Sequence, residues 1–173
     1  MKKNISFILM VMLFVMTACA NGNGNSSSAT SELGSENSTN LGAYIMKISI
    51  QITSDTGKSE LTATLADNSS ATAFYELLKK GPLTVKMVDY GNFEKVGPLG
   101  TSLPRNDTQI TTEAGDIILY QGNQITIYYD TNSWNFTRLG KVVSKGSTTT
   151  ITQAELKKIL GKGDVTAVFE ILR

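Results

Sequence analysis

Short runs in which apolar and polar residues alternate recur along the chain after residue 44, and they demand sheet. Met46-Lys47-Ile48-Ser49-Ile50-Gln51-Ile52 alternates without a break. In an extended strand successive side chains point to opposite faces, so this run buries one face and wets the other. Lys58 to Leu65 repeats the pattern, with Leu61, Ala63 and Leu65 on one face. Thr53 to Gly57 between them reads as a hairpin turn, because Asp and Gly tolerate the dihedrals it needs. Further strands are expected at Leu83 to Tyr90, Asp116 to Tyr120, Gln124 to Tyr129, Arg138 to Val143 and Val165 to Leu172. Gly122-Asn123 is a two-residue link of the kind that closes a tight hairpin.

The period changes twice. Ser70 to Leu78 places Ala71, Phe74 and Leu78 on one helical stripe, with Asn68 or Ser69 as cap and Gly81-Pro82 as stop. Thr152 to Leu160 is also helical: Thr152 and Glu155 have capping-box spacing, and Gly161 ends the segment. Residues 44–173 suit one mainly β domain, a closed β-barrel with two short helices, which leaves no sheet edge exposed.

The N-terminal region has a different character. Lys2 and Lys3 precede an apolar run from Ile5 to Ala18, the order of a secretory signal and short for a membrane span. Met16-Thr17-Ala18-Cys19 resembles the lipobox of bacterial lipoproteins, which implies a signal peptide over 1–18 and a lipid on the sulfur of Cys19. The only cysteine of an exported chain needs such an explanation. Residues 20–43 are rich in Asn, Gly, Ser and Thr and lack aromatics, so 19–43 is expected to be a disordered tether. Its reach is on the order of 25–30 Å. The protein is thus expected on the extracytoplasmic face of a membrane, held there through its lipid.

Composition excludes much chemistry. With no histidine there is no Ser-His-Asp relay and no histidine zinc site. No Walker loop, GxGxxG or EF-hand loop occurs, so no cofactor and no metal is expected. Without Lys2 and Lys3 the chain has 14 basic residues against 15 acidic ones. Lys79-Lys80 and Lys157-Lys158 are its only basic pairs in the folded part and sit on helices, so no nucleic-acid partner is expected. Asp116, after Gly115, is read as a turn residue.

Leu139 to Gly146 followed by a helix and a closing strand resembles the C-terminal end of cyclophilins. Gly115 to Tyr120 with Ile125 to Tyr129, and Asp89 to Gly97, resemble small bacterial cyclophilin-like domains. The resemblance spans residues 46–173 and implies a cyclophilin-like barrel. Prolyl isomerases of that type use an arginine within a Phe-His-Arg motif, which this chain lacks; Arg105 and Arg138 are its only arginines before the last residue. No catalytic residue is assigned. A monomeric binding module for a peptide or small ligand is the first reading, and an isomerase acting on exported proteins is the alternative.

The candidate ligand contacts are Tyr90, Asn92, Phe93 and Glu94 on one connection, Trp134 on the loop 130–136, and Arg138. Aromatic rings beside amides combine apolar area with hydrogen bonding. Trp134 and Phe136 are expected to plug an end of the barrel, which leaves Tyr90, Asn92 and Phe93 as the better contacts. Tyr120, Tyr128 and Tyr129 are read as sheet residues.

Overall fold

A computed structural model describes residues 45–144 and 146–172. The signal segment, Cys19 and the tether lie outside the described residues. Nine strands and two helices follow one another: β1 (Lys47–Ser54), β2 (Gly57–Leu65), α1 (Ser69–Lys79), β3 (Leu83–Tyr90), β4 (Glu94–Pro98), β5 (Thr108–Thr111), β6 (Asp116–Tyr120), β7 (Gln124–Tyr128), β8 (Ser133–Val143), α2 (Gln153–Leu160) and β9 (Val165–Ile171). The protein is mainly β.

Strand order is β2-β1-β9-β3-β4-β7-β6-β8-β5, and β2 also pairs with β8. Eight strands therefore form a hydrogen-bonded circuit in which β8 returns to β2. The eleven-residue β8 makes this possible by serving three partners. Thr108 to Thr111 of β5 pair with its first four residues, β6 with its middle and β2 with Gly140 to Val143.

The alternation in β1 and β2 performs as the sequence demands. Ile48, Ile50 and Ile52 join Leu61, Ala63 and Leu65 in the main core, each large side chain contributing about 1.5–3 kcal/mol on burial. The α1 stripe Ala71, Phe74 and Leu78 covers that core, and the Phe74 ring meets Phe169 edge-on at 5.8 Å. Asn68 caps α1 through Ala71 N–H and also donates to the Arg138 carbonyl, tying the helix to β8. The Thr152–Glu155 capping box forms in full at α2.

Three segments depart from expectation. Residues 94–98, read as part of a connection, form β4. Thr108–Thr111 form β5, although the polar run gives no apolar face. β8 begins at Ser133, so Trp134 lies on a strand rather than a loop. The β6–β7 turn is centred on Gln121 and Gly122, both at positive φ, one residue before the expected Gly122-Asn123 pair. There Asn123 N–H donates to the Tyr120 carbonyl.

Candidate functional site

A second apolar cluster lies on the opposite face of the strands from the main core. Along β6, Ile117 and Leu119 enter the core while Ile118 and Tyr120 face away; across the hairpin, Ile125 and Ile127 enter and Thr126 and Tyr128 face away. Ile118, Tyr128 and Phe136 are buried there, with Phe93, Ile110 and Tyr120 packed around them. The rings form a continuous chain. Tyr90 meets Phe93 edge-on at 6.0 Å, Phe93 stacks on Tyr128 at 5.9 Å, Tyr128 tilts against Phe136 at 5.7 Å, and Phe136 meets Tyr120 at 6.3 Å.

These rings floor an open groove of about 460 Å³. The exposed rings of Tyr90 (60%) and Trp134 (62%) also line it. The β3–β4 turn sets the Tyr90 end: Gly91 and Asn92 both adopt positive φ, and Phe93 N–H donates to the Tyr90 carbonyl. Gly91 is required twice over. Its φ of 60° favours glycine, and a Cβ there would stand 2.2 Å from the Phe93 ring.

One charged group enters the groove. Glu94 opens β4 as the register partner of both Tyr90 on β3 and Tyr128 on β7. It is 8% exposed, and its Oε2 has no hydrogen-bond partner. Burial pushes its carboxyl above the ordinary glutamate range, and a hydrogen bond from the Tyr128 hydroxyl only partly offsets this. Burial, then the Glu94 carboxylate, push the Tyr128 hydroxyl up as well. Asn132 Nδ2 reaches the same hydroxyl at 3.5 Å.

The candidate contacts divide accordingly. Tyr90, Phe93, Glu94 and Trp134 come together in the groove. The expectation that Trp134 plugs the barrel is overturned by its exposure; Phe136, two residues on, is 3% exposed and packs in the second cluster. Asn92 shapes the turn and lines a different cavity. Arg138 is also absent from the groove lining, because Asp116 holds its guanidinium at 3.0 Å. Asp116 is fully buried, takes Lys141 at 3.2 Å, and accepts from Glu113 N–H as the turn residue expected.

Tyr120, Gln124, Tyr128 and Asn132 were missed as lining residues. Part of the signal was available: on the β6–β7 hairpin the positions alternating with Leu119, Ile125 and Ile127 are Tyr120, Gln124, Thr126 and Tyr128, too rich in aromatic and polar groups for a plain wet face.

The cavity holding Asn92 is larger, about 1040 Å³, and Asp89, Tyr129 and Lys157 also line it. Two of its charged groups, Asp89 and Lys157, have internal partners. Lys95, fully buried, donates to Asp89 at 2.6 Å, Gly163 O at 2.6 Å and Gly161 O at 3.3 Å, while the Tyr129 hydroxyl donates to Asp89 at 2.7 Å. Lys157 pairs with Asp130 at 2.9 Å. Among the described residues no three His, Cys, Asp or Glu side chains gather to hold a metal.

The model of the cyclophilin-like family matches residues 54–170, from the end of β1 into β9. The chain belongs to the cyclophilin-like family. A hypothetical protein from Archaeoglobus fulgidus, solved in solution, has a similar fold at a TM-score of 0.50 and 14% identity, over 76% of this chain and 100% of that one. No curated protein matches in sequence. This cyclophilin-like domain thus carries its aromatic groove on the face of β4, β6, β7 and β8 turned away from the main core.

Proposed function

We propose that the protein is a binding module of cyclophilin-like fold that takes a peptide or small ligand into the groove of Tyr90, Phe93, Glu94, Tyr128 and Trp134. The observation that carries this reading is the pairing of two exposed aromatic rings with a buried carboxylate that has an unpartnered oxygen. A folded protein gains nothing by leaving large rings in water or an acceptor unmatched, and a ligand resolves both. The eight-strand circuit is read as a closed barrel, a rigid scaffold on which such a groove stays preformed. Lipidation at Cys19, with residues 19–43 as tether, would hold the module on the extracytoplasmic face of a membrane; the lipobox-like Met16-Thr17-Ala18-Cys19 supports this.

Isomerase chemistry is not part of the proposal. A twisted prolyl amide needs a donor aimed at it, and Arg138 is engaged with Asp116 away from the groove lining. The test is a titration of blocked tripeptides into the 15N-labelled full-length chain. Shifts gathered at Tyr90, Phe93, Glu94, Tyr128 and Trp134 support the groove. Binding confined to the cavity around Asp89 and Lys157 sinks it, and catalysed cis/trans exchange of an Xaa-Pro peptide would restore the isomerase reading.

A further inference from the structure

We infer that the groove selects an alkylammonium group, a protonated amine bearing at least one N–H, at Glu94. The inference rests on the groove's being a ligand site and names the chemistry that site reads. Glu94 is an acceptor short of a donor: its side chain is buried, Oε2 is unpartnered, and the one donor that reaches its carboxyl is the Tyr128 hydroxyl, which itself accepts from Asn132 Nδ2. A ligand that supplies both positive charge and an N–H matches the carboxylate in charge and geometry.

The surroundings suit the rest of such a ligand. Phe93, Tyr128 and Phe136 give an apolar floor for an alkyl stem, and the faces of Tyr90 and Trp134 attract a cation from the rim. A metal ion is a poor fit. Hard cations ask for six or so oxygen ligands, and the groove offers one carboxylate among rings and amides. An anion is repelled by Glu94. A neutral ligand can fill the floor but leaves the carboxylate's charge unmatched in a buried site.

The charged groups around Glu94 make the selection depend on pH. Tyr90 on β3, Tyr120 on β6 and Tyr128 on β7 line its face of the groove; Lys95 and Asp89 pair with each other elsewhere, and Lys95 lines the opposite face of β4. Glu94 is thus the group whose ionisation controls amine binding. Because a cation binds the ionised carboxylate, affinity rises with pH through the Glu94 titration and levels off above it.

The experiment titrates n-butylammonium, 1-butanol, tetramethylammonium and Nα-acetyl-lysine methylamide into the full-length chain, followed by Trp134 fluorescence and NMR. Butylammonium is expected to shift Glu94, Tyr128 and Trp134, and to bind at least about tenfold more tightly than tetramethylammonium, which lacks an N–H, or neutral butanol. Tighter binding of the lysine amide than of butylammonium identifies a lysine side chain as the source; the reverse identifies a free amine. Glu94→Gln, which keeps the size and one acceptor, is expected to weaken butylammonium by about tenfold or more. Equal binding of butanol, or an unchanged amine affinity in Glu94→Gln, overturns the inference. Neutral peptides that still bind the groove in both proteins would leave the binding module standing while removing the ammonium; a groove unmoved by any probe would remove both.

Discussion

Glu94 and Tyr128 face each other across the β4–β7 ladder, and the pair unites the two unusual properties of this domain. The tyrosine ring stacks on Phe93 in the aromatic floor while its hydroxyl meets a buried carboxylate. A packed cluster outside the main core and an under-satisfied charge thus meet at one point.

The single tryptophan reports on the groove directly. Trp134→Ala is expected to cost less than about 0.5 kcal/mol in a denaturant titration, because an exposed ring gives up little area. Phe136→Ala, two positions along β8, is expected to cost about 3–5 kcal/mol. Native emission from Trp134 should be red-shifted and readily quenched. Blue-shifted, protected emission would place the ring in a core and restore the plug.

Lys95 is expected to anchor the turn between α2 and β9 rather than to react. Lys95→Met should destabilise the fold by about 3 kcal/mol, the low end for removing one partner of a buried pair, since Asp89 keeps some water and its Tyr129 hydrogen bond. Burial alone would raise the Asp89 carboxyl, but the Lys95 and Tyr129 hydrogen bonds outweigh it and hold it low. That contribution is therefore present above the ordinary aspartate pKa and lost as pH falls through the lowered one. Hydrogen exchange at Gly161 and Gly163 should accelerate in the variant; exchange and stability like those of the unmutated chain would contradict the anchor.

Why the sequence revealed some of this and hid the rest follows from particular side chains. β1, β2 and the α1 stripe obey a single period, and hydrophobic burial alone places them. β4 breaks the rule, because Lys95 turns inward where an apolar residue is expected and is satisfied only by Asp89 and two carbonyls distant in sequence. β5 and the first three residues of β8 are exposed or nearly so, and their pairing depends on each other rather than on a core. In the groove, the cluster Tyr90, Phe93 and Glu94 is local and legible. Tyr120, Tyr128 and Asn132 join it only through the β6–β7–β8 register, while Arg138 lies outside its lining with the guanidinium held by Asp116.

The membrane attachment is tested outside the folded domain. Cys19→Ser should move the protein from the membrane fraction to the soluble fraction, since each acyl CH2 contributes about 0.8 kcal/mol of binding. Unchanged partitioning into detergent would argue against a lipid at Cys19.

A site held ready for a cation should weaken the empty protein. The folded-state pKa of Glu94 is raised by burial, so its ionisation opposes folding; the penalty sets in as pH rises past the ordinary glutamate pKa and is complete once pH has passed through the raised one. Glu94→Gln is therefore expected to melt at a higher temperature than the unmutated chain at pH 7. The gap should close below the ordinary glutamate pKa, where both side chains are neutral. A variant less stable at pH 7 would mean that the carboxylate serves the fold instead of a ligand.

The titration of Glu94 itself, followed through its 13C carboxyl shift in the full-length chain, tests the binding-site account most directly. The free protein should show a Glu94 titration above the ordinary glutamate range, and saturating n-butylammonium should move it downward as the cation stabilises the ionised form. An ordinary titration in the free protein that butylammonium leaves in place would contradict the account.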